Sequence, residues 1–423
     1  MRGTRVWQGL LGLRHTVVEA VALDEEAQVV VVSVRPRRAV RHRCGRCRAR
    51  APLYDRGEGT RRWRCLDLGE LRCYLEAESP RVSCPHHGPT VVAFPWARHG
   101  AGHTRAFDDQ VAWLASCTSK SAVTELMRVA WRTVGSIITR VVDDATAVID
   151  PLDGLRRIGI DEISYKRGHK YLTVVVDHDT RRLVWAYPGR DKASLARFFT
   201  ALGPDRCSEI TLVSGDAAPY IELAVFEHCP NAEFCTDPFH VVSWATRALD
   251  IVRREAWNDA RRSKDPAGAK VIKGSRWALL KNPEALTDKQ RSCLETLEAL
   301  NHETFRAYLL KEQLRAVFLL RGSEAVDGLQ AWIDAATGSD IEAFVDLGYQ
   351  IRANRDGIEN ALIHGLSNGI VESVNTKIRL IIRVGFGFHG PQAVIALAML
   401  TLGGYRPPLP GRPPVQSRVR GPN

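Results

Sequence analysis

Cys44-Gly-Arg-Cys47 and Cys84-Pro-His-His87 are two pairs of soft donors, each at the same x-x spacing. Tetrahedral zinc needs four such donors, at ~2.3 Å for sulfur and ~2.0–2.1 Å for nitrogen, and two turns with one pair each can deliver them. Cys44, Cys47, Cys84 and His87 are therefore the candidate ligands of one structural Zn²⁺. His86 could replace His87, and Cys65 and Cys73 are spare thiols on an expected strand pair. The 36 residues between the pairs exceed ordinary finger spacing, which predicts a ribbon with inserted strands. The competing reading is a set of buried, inert cysteines. No βαβ unit surrounds the Cys-x-x-Cys, which argues against a redox motif. A closed four-ligand site folds a small domain and leaves no open position for catalysis.

A second chemistry lies in three carboxylates. Asp161 ends the run RRIGID, Asp216 ends TLVSGD, and Glu372 lies near the start of SNGIVESVNTKIRLIIR. Three converging carboxylates can hold two Mg²⁺ (or Mn²⁺) about 3.5–4 Å apart, one activating an attacking oxygen and one stabilising a leaving oxygen. Glu162, Asp177, Asp179 and Asp237 compete for the same role on spacing alone. His240 in DPFHVV reads better as a satisfied core histidine than as a neighbour of the metals.

The elements that must position these groups follow from hydrophobic period. RRIGID, KYLTVVVD and RLVWAYP read as three strands, KASLARFFTAL as a helix, EITLVSGD as a strand, APYIELAVFEHC as a helix and AEFCTD as a fifth strand. A helix over 368–383 then carries Glu372, and another covers 391–402. This is the element order of a ribonuclease-H-like core. On the Glu372 helix, Ile370/Val371, Val374, Ile378 and Ile381/Ile382 form the expected buried stripe, with Glu372, Asn375, Arg379 and Arg383 opposite. Residues 240–360 read as almost entirely helical. Upstream, three short helices are expected over 105–145, the last being WRTVGSIITR. Its Arg132, Thr133, Ser136 and Arg140 would face outward, with the side-chain types that read base edges and phosphates.

Charge is distributed to match. The 423 residues carry a formal +11, but residues 35–64 hold 12 basic and 2 acidic residues, and residues 373–423 hold 7 basic and none acidic. The remainder is net negative. Basic ends on an acidic body point to a polyanion gripped at chosen places. Arg43, Arg46, Arg48, Arg61, Arg62 and Arg64 around the cysteines, and Lys377, Arg379 and Arg383 on the Glu372 helix, are the candidate phosphate contacts. The longest apolar run is ten residues (393–402), short of the ~20 that span a bilayer. Ten cysteines without a secretory signal argue for reduced thiols or metal ligands. A cytoplasmic protein is expected, with no membrane partner.

The fold class expected is multidomain α+β and α/β. The parts are a zinc-binding, DNA-binding domain over 1–98, a helix-turn-helix over 104–150 and a ribonuclease-H-like mixed-sheet core over 155–240 and 361–403. An all-α segment over 241–360 interrupts the core. The last part is a disordered, basic, proline-rich tail over 404–423, whose twenty residues hold six prolines and four arginines.

The Cys44/Cys47 and Cys84/His87 pairs, with RRWRCLDLGELRCYLE, RVSCPHHG and VAWRTVGSII, form one set of distinctive strings. IGIDEISYKRGHKYLTVVVD, GRDKASLARFF, DPFHVV and SNGIVESVNTKIRLI form another. Through them nearly the whole chain resembles transposases of the ISL-three insertion-sequence family. By that resemblance Asp161, Asp216 and Glu372 fill an Asp-Asp-Glu triad, and the helical stretch between the last two is an insertion domain. Cys65 departs from the pattern, standing in a WRCLDL context where histidine is expected. The activity implied is Mg²⁺-dependent hydrolysis of a phosphodiester at the element end, followed by strand transfer of the freed 3′-hydroxyl to target DNA. The implied partner is double-stranded DNA, both terminal inverted repeats and target. Synapsis of two ends implies a homodimer on DNA, in a bacterial cytoplasm and on the nucleoid when bound. A catalytically inactive, transposase-derived DNA-binding regulator is the alternative. A nuclease without strand transfer fits less well, because two end-recognition modules precede the core.

Overall fold

The run QVVVVSV is rich in β-branched residues. In a computed structural model of the chain, which describes residues 2–388 and 390–412, it forms the second strand of a four-stranded sheet. The chain divides into two compact units, Met1–Pro151 together with Leu380–Asn423, and Leu152–Arg379. Among the described residues no helix is long and apolar enough to cross a membrane.

In the first unit, α1 (Arg2–Leu10) precedes β1 (Thr16–Asp24) and β2 (Val29–Pro36). Then come β3 (Leu53–Asp55), β4 (Thr60–Arg64), β5 (Arg72–Glu78), β6 (Arg81–Cys84) and β7 (Gly88–Val91). The larger sheet has the order β1-β2-β5-β4, and β3-β6-β7 form a small second sheet. Trp63 on β4 is the centre of the core, 4.5 Å from the Phe94 ring and 5.5 Å from the Trp96 ring between centroids. The stretch 94–104, which its Pro, Gly and His content marks as a linker, is instead packed. Phe94, Trp96, Ala97 and Ala101 are buried, and Arg98 reaches Asp109 (2.6 Å) and Asp144 (3.1 Å). Apolar burial of about 1.5–3 kcal/mol per large side chain outweighs the local preference for an open loop.

Three helices follow, α2 (Arg105–Ala115), α3 (Lys120–Met127) and α4 (Trp131–Thr146), as the period predicts. The Thr104 hydroxyl accepts the Phe107 N–H at the start of α2, and the Ser119 hydroxyl accepts the Ala122 N–H at the start of α3. Of the basic, proline-rich end, residues 413–423 lie outside the described residues. Its first residues are held: Tyr405 is buried, and the Arg406 guanidinium lies 6.0 Å from the Trp113 ring on α2.

The second unit opens with β8 (Arg157–Lys166), β9 (Lys170–Asp177) and β10 (Arg182–Pro188), then α5 (Lys192–Leu202), α6 (Pro204–Cys207), β11 (Leu212–Gly215), α7 (Pro219–His228) and β12 (Glu233–Thr236). They make one sheet of order β10-β9-β8-β11-β12. The first three strands pair antiparallel, while β8, β11 and β12 pair parallel. Near-continuous apolar runs such as YLTVVVD suit strands covered on both faces.

From Pro238 to His364 every element is helical except a short 3₁₀ turn: α8 (Pro238–Arg262), α9 (Pro266–Gly274), α10 (Arg276–Leu280), α11 (Asp288–Leu300), α12 (His302–Val317), α13 (Gly322–Thr337), α14 (Glu342–Ala353) and α15 (Arg355–His364). These helices share a core around Leu249, Leu297, Leu314, Trp332, Phe344 and Ile351. Trp332 is buried and donates its indole N–H to the Leu310 carbonyl at 2.7 Å. Trp244 and Trp257 pack at the margin of that core, whereas Trp277 is exposed. Then α16 (Gly369–Val384) runs out of this unit into the other, and α17 (Pro391–Leu402) packs on α4.

Candidate active site and metal centre

The cysteine cluster is built by two tight turns. In the first, Cys44 donates its N–H to the Ala49 carbonyl and accepts the Arg48 N–H, both at 2.9 Å. Gly45 is required there, since a Cβ would lie 2.4 Å from His99 Nδ1 and 2.6 Å from the Val91 carbonyl oxygen. The second turn joins β6 to β7. Cys44 Sγ lies 3.7 Å from His87 Nδ1, Cys47 Sγ 3.6 Å from Cys84 Sγ, and Cys84 Sγ 3.6 Å from His87 Nδ1. All four donor atoms lie within 4.8 Å of one another. A tetrahedron with ligands at ~2.3 Å has edges of about 3.8 Å, so both the spacing and the donor set suit one Zn²⁺. Burial acts to raise the Cys84 thiol, but the N–H groups of His86 and His87 and the His87 ring bring it down to about 6. That favours the thiolate a metal needs. His86, Cys65 and Cys73 are not in the cluster. Cys65 and Cys73 are buried, Cys65 donating its N–H to the Cys73 carbonyl at 2.8 Å.

In the helical module, Val134, Ile137, Ile138 and Val141 are buried, as their spacing predicts. Arg132 and Ser136 are exposed and Thr133 is half-buried. Arg140 departs from the expectation of an outward phosphate contact. Its Nη1 sits 3.5 Å from Asp108, a carboxylate that is fully buried and also lies 3.6 Å from Arg98. Burial pushes the Asp108 carboxyl up to about 6 and the nearby His103 ring down to about 4. A buried acid draws a nearby cation inward, and helical period cannot show this.

Two of the arginines near the cysteines are also turned to structural use. Arg64 is buried, ion-paired with Asp67 and placed over the Tyr74 and Phe107 rings. Arg61 donates to the Ala101 carbonyl at 2.8 Å and lies over Trp63. Arg62 is exposed but paired with Glu76 at 2.6 Å, and Arg43 donates to the Arg48 carbonyl at 3.0 Å. Arg46, Arg48, Lys377, Arg379 and Arg383 are exposed.

Asp161 lies midway along β8, which runs on past RRIGID to Lys166, and Asp216 directly follows β11. The parallel register pairs Val213 with Ile158 and Ser214 with Gly159. Continued two residues, it sets Asp216 beside Asp161. Asp161 Oδ1 accepts the Glu162 N–H and its Oδ2 accepts Asn375 Nδ2–H, both at 2.7 Å. Asn375 lies on α16, one turn beyond Glu372 and on the same side of the helix. It is 1% exposed, so the buried face of α16 includes a polar residue that the apolar stripe did not predict. Glu372 itself is exposed.

Asn368, just before α16, fastens it further. Its Nδ2–H donates to the Ile160 carbonyl (3.3 Å), its Oδ1 accepts the Ser214 hydroxyl (2.5 Å), and its N–H donates to Asp237 Oδ1 (3.1 Å). His178 Nε2 joins the chain at 2.8 Å from Ser214 Oγ. The repeated Asn in SNGIVESVN was the available signal for this, though composition gives it no particular role.

The site carries more negative charge than its cations balance. Burial, with the charge of Asp216, pushes the Asp161 carboxyl up to about 6 against the Glu162 N–H, His240 and Asn375. Glu162 is pushed up to about 7 by burial, with Asp216 and Asp161 adding to it against its ion pair with Arg190. His240 is not a satisfied core histidine: Nε2 lies 2.6 Å from Asp216 Oδ1, which holds the ring's protonation above its ordinary range. Of the competing carboxylates, Asp177 instead accepts the N–H groups of Asp179 and Thr180 in a turn, and Asp179 pairs with Arg157.

Three family profiles match the chain. One described as a transposase of the ISL3 group covers residues 158–398, and one described as the helix-turn-helix domain of transposase family ISL3 covers 92–142. The third, described as the zinc-finger of transposase IS204/IS1001/IS1096/IS1165, covers 41–87. The chain is 55% identical over 436 positions to the transposase for insertion sequence element IS1557 of Mycobacterium tuberculosis, an alignment spanning 97% of this chain and 98% of that one. It is 29% identical over 353 positions to the transposase for IS1001 of Bordetella parapertussis, spanning 82% and 85%.

Proposed function

The chain belongs to the ISL3 family of insertion-sequence transposases, and from that premise we propose that its carboxylate cluster is an Asp-Asp-Glu site for phosphodiester transfer. The helix-turn-helix and transposase profiles make it a DNA-binding, DNA-processing protein. The zinc-finger profile and the convergent Cys₃His donors support a structural zinc.

One observation carries the catalytic reading. The Asn375–Asp161 hydrogen bond, at 2.7 Å, ties the helix that bears Glu372 to the strand that bears the first aspartate. The sheet order β10-β9-β8-β11-β12, with β8 and β11 parallel, supports a ribonuclease-H-like core. The wholly helical stretch from α8 to α15 supports an insertion between Asp216 and Glu372. Asp161, Asp216 and Glu372 would hold two Mg²⁺ or Mn²⁺ ions, and the raised Asp161 and Glu162 carboxyls mark the excess negative charge such cations suit. When bound, the ions supply Lewis acidity at the attacking and leaving oxygens. The chain's own groups prepare the site. Asn375 orients Asp161, His240 holds Asp216, and Asn368 fixes the start of α16. The zinc ribbon and helix-turn-helix bind the terminal inverted repeats, two copies of the chain bring both ends together with target DNA, and the protein works in the bacterial cytoplasm.

The test is a DNA fragment carrying the element's end, incubated with protein and Mg²⁺. Wild type should nick at the element boundary, while Asp161→Ala, Asp216→Ala and Glu372→Ala should bind the fragment and leave it intact. Equal binding with no cleavage by any of the four would favour the inactive regulator instead.

A further inference from the structure

Of the twelve arginines in 35–64, the fold commits several to protein partners. Arg35 pairs with Glu19 and Arg62 with Glu76, each at 2.6 Å. Arg64 pairs with Asp67, and Arg43 and Arg61 donate to backbone carbonyls. Three others meet in one place. Arg38, Arg41 and Arg50, with His42, line an open concavity of about 420 Å³ whose remaining walls are Ala39, Ala51 and Pro52. No carboxylate lines it among the described residues. Arg41 Nε donates to the Pro36 carbonyl at 3.1 Å. Arg38 and Arg50 have no side-chain partner among the described residues.

This frame is fixed by the backbone. Arg38 lies in a 3₁₀ turn closed by the Val40 N–H on the Arg37 carbonyl at 3.0 Å. Arg50 is brought across by the Arg43–Arg50 bridge and by the Ala51 N–H on the His42 carbonyl at 3.0 Å. Cys44, the first zinc donor, follows immediately, so the turn that holds the metal also anchors this lining.

We infer that this concavity is a seat for the phosphodiester backbone of DNA, an inference that rests on the DNA-binding reading above. Three arginines lining one concavity without an acid give it a positive potential that nothing in its wall offsets, and a polyanion is drawn to it. Guanidinium is planar and forks onto phosphate oxygens, whereas a carboxylate beside it offsets the positive charge it offers them. The neighbouring groove makes the contrast. It has a volume of about 580 Å³ and shares Arg41 and His42, but Glu19, Glu76 and Glu78 also line it. That mixed-sign wall disfavours phosphate and gives the basic seat a defined edge. A contact of this kind sets the register of the protein on the duplex and reads no sequence.

The experiment measures binding of the full-length, zinc-loaded protein to a labelled duplex carrying the element's terminal repeat and to a scrambled duplex, between roughly 0.05 and 0.2 M salt. The triple variant Arg38→Gln, Arg41→Gln, Arg50→Gln should lose affinity equally on both duplexes. Its plot of log K against log salt should be shallower by about 2–3, near 0.9 for each lost phosphate contact. Arg62→Gln, already paired with Glu76, should keep the wild-type slope. If the triple variant fails to retain zinc, the single variants Arg41→Gln and Arg50→Gln carry the test, each lowering the slope by about 0.9. An unchanged slope, or a loss confined to the terminal-repeat duplex, overturns the seat. Wild-type protein with no salt-dependent binding to either duplex overturns the DNA-binding reading itself, and the seat with it.

Discussion

The cysteine cluster and the proposed carboxylate site would both hold cations, yet they are prepared in opposite ways. Four zinc donors lie within 4.8 Å of one another, closed by two short turns and steadied by a local N–H···S contact from Arg46 to Cys44 at 3.4 Å. Among the described residues no three carboxylates come together at that spacing. Asp161 stands on β8 and Asp216 just past the end of the adjacent β11, Glu372 is exposed on a helix, and burial and mutual repulsion push the Asp161 carboxyl upward. A structural metal completes a local fold, so its donors can be set by neighbouring residues. A catalytic site must admit substrate, so its acids stay apart and carry a cost in the absence of cations.

Removing zinc should give the largest effect. Cys44→Ser or a strong chelator should release about one zinc per chain and unfold the segment from 41 to 92, since structural zinc contributes roughly 10–16 kcal/mol of apparent binding energy in small zinc-finger peptides. Hydrogen exchange over 41–92 should rise sharply while the sheet from β8 to β12 stays protected. Equal protection of both regions after zinc loss would remove the contrast. Next in size, Glu372→Gln should reduce cleavage at the element end at least about a thousandfold. The melting temperature should fall by a few degrees at most, because Glu372 is exposed and its charge in the first turn of α16 contributes only about 0.3–1 kcal/mol.

Arg64 and Arg62 sharpen the comparison within the basic segment. Arg64→Ala removes a buried guanidinium that pairs with Asp67 and lies over Tyr74 and Phe107, while Asp67 keeps Arg128 at 3.3 Å, so the first unit should lose about 1–3 kcal/mol in denaturant titration. Asp161→Asn should stabilise the metal-free protein. Its carboxyl titrates near 6 rather than at 3.8, so its stabilising contribution is complete below pH 3.8 and lost as pH rises through about 6. At pH 7 the ionised group therefore costs up to about 2–3 kcal/mol. The asparagine variant should melt a few degrees higher at pH 7 and level with wild type near pH 4, while losing cleavage. A lower melting temperature at pH 7 would mean that Asp161 is not strained by its surroundings. Arg62→Ala gives the smallest change, under about 0.5 kcal/mol, because an exposed ion pair contributes little.

The elements from β8 to α7 follow their hydrophobic period because each buries a regular face, and the two Cys-x-x-Cys-type turns are legible because their donors are neighbours in the chain. Less regular features escaped. The stretch 94–104 has the composition of a linker, but Phe94 and Trp96 pack against Trp63. Arg64 and Arg140 looked like DNA contacts, but Asp67 and Asp108 hold them. Asn375 stands with Glu372 on the face opposite the apolar stripe, yet it is buried and touches Asp161.

What the sequence determined by itself was which residue types stand where: two donor pairs, three candidate acids on or beside two strands and a helix, and arginines concentrated in 35–64. These depend on spacing over a few residues, which the chain prints directly. Tertiary structure decided which charges are free. An arginine's role turns on whether a carboxylate or carbonyl tens of residues away reaches it first, and an acid's ionisation on how much water and opposite charge remain around it. Those are properties of three-dimensional packing, so only the folded chain separates Arg38 and Arg50 from Arg64, and Asp161 from Asp177.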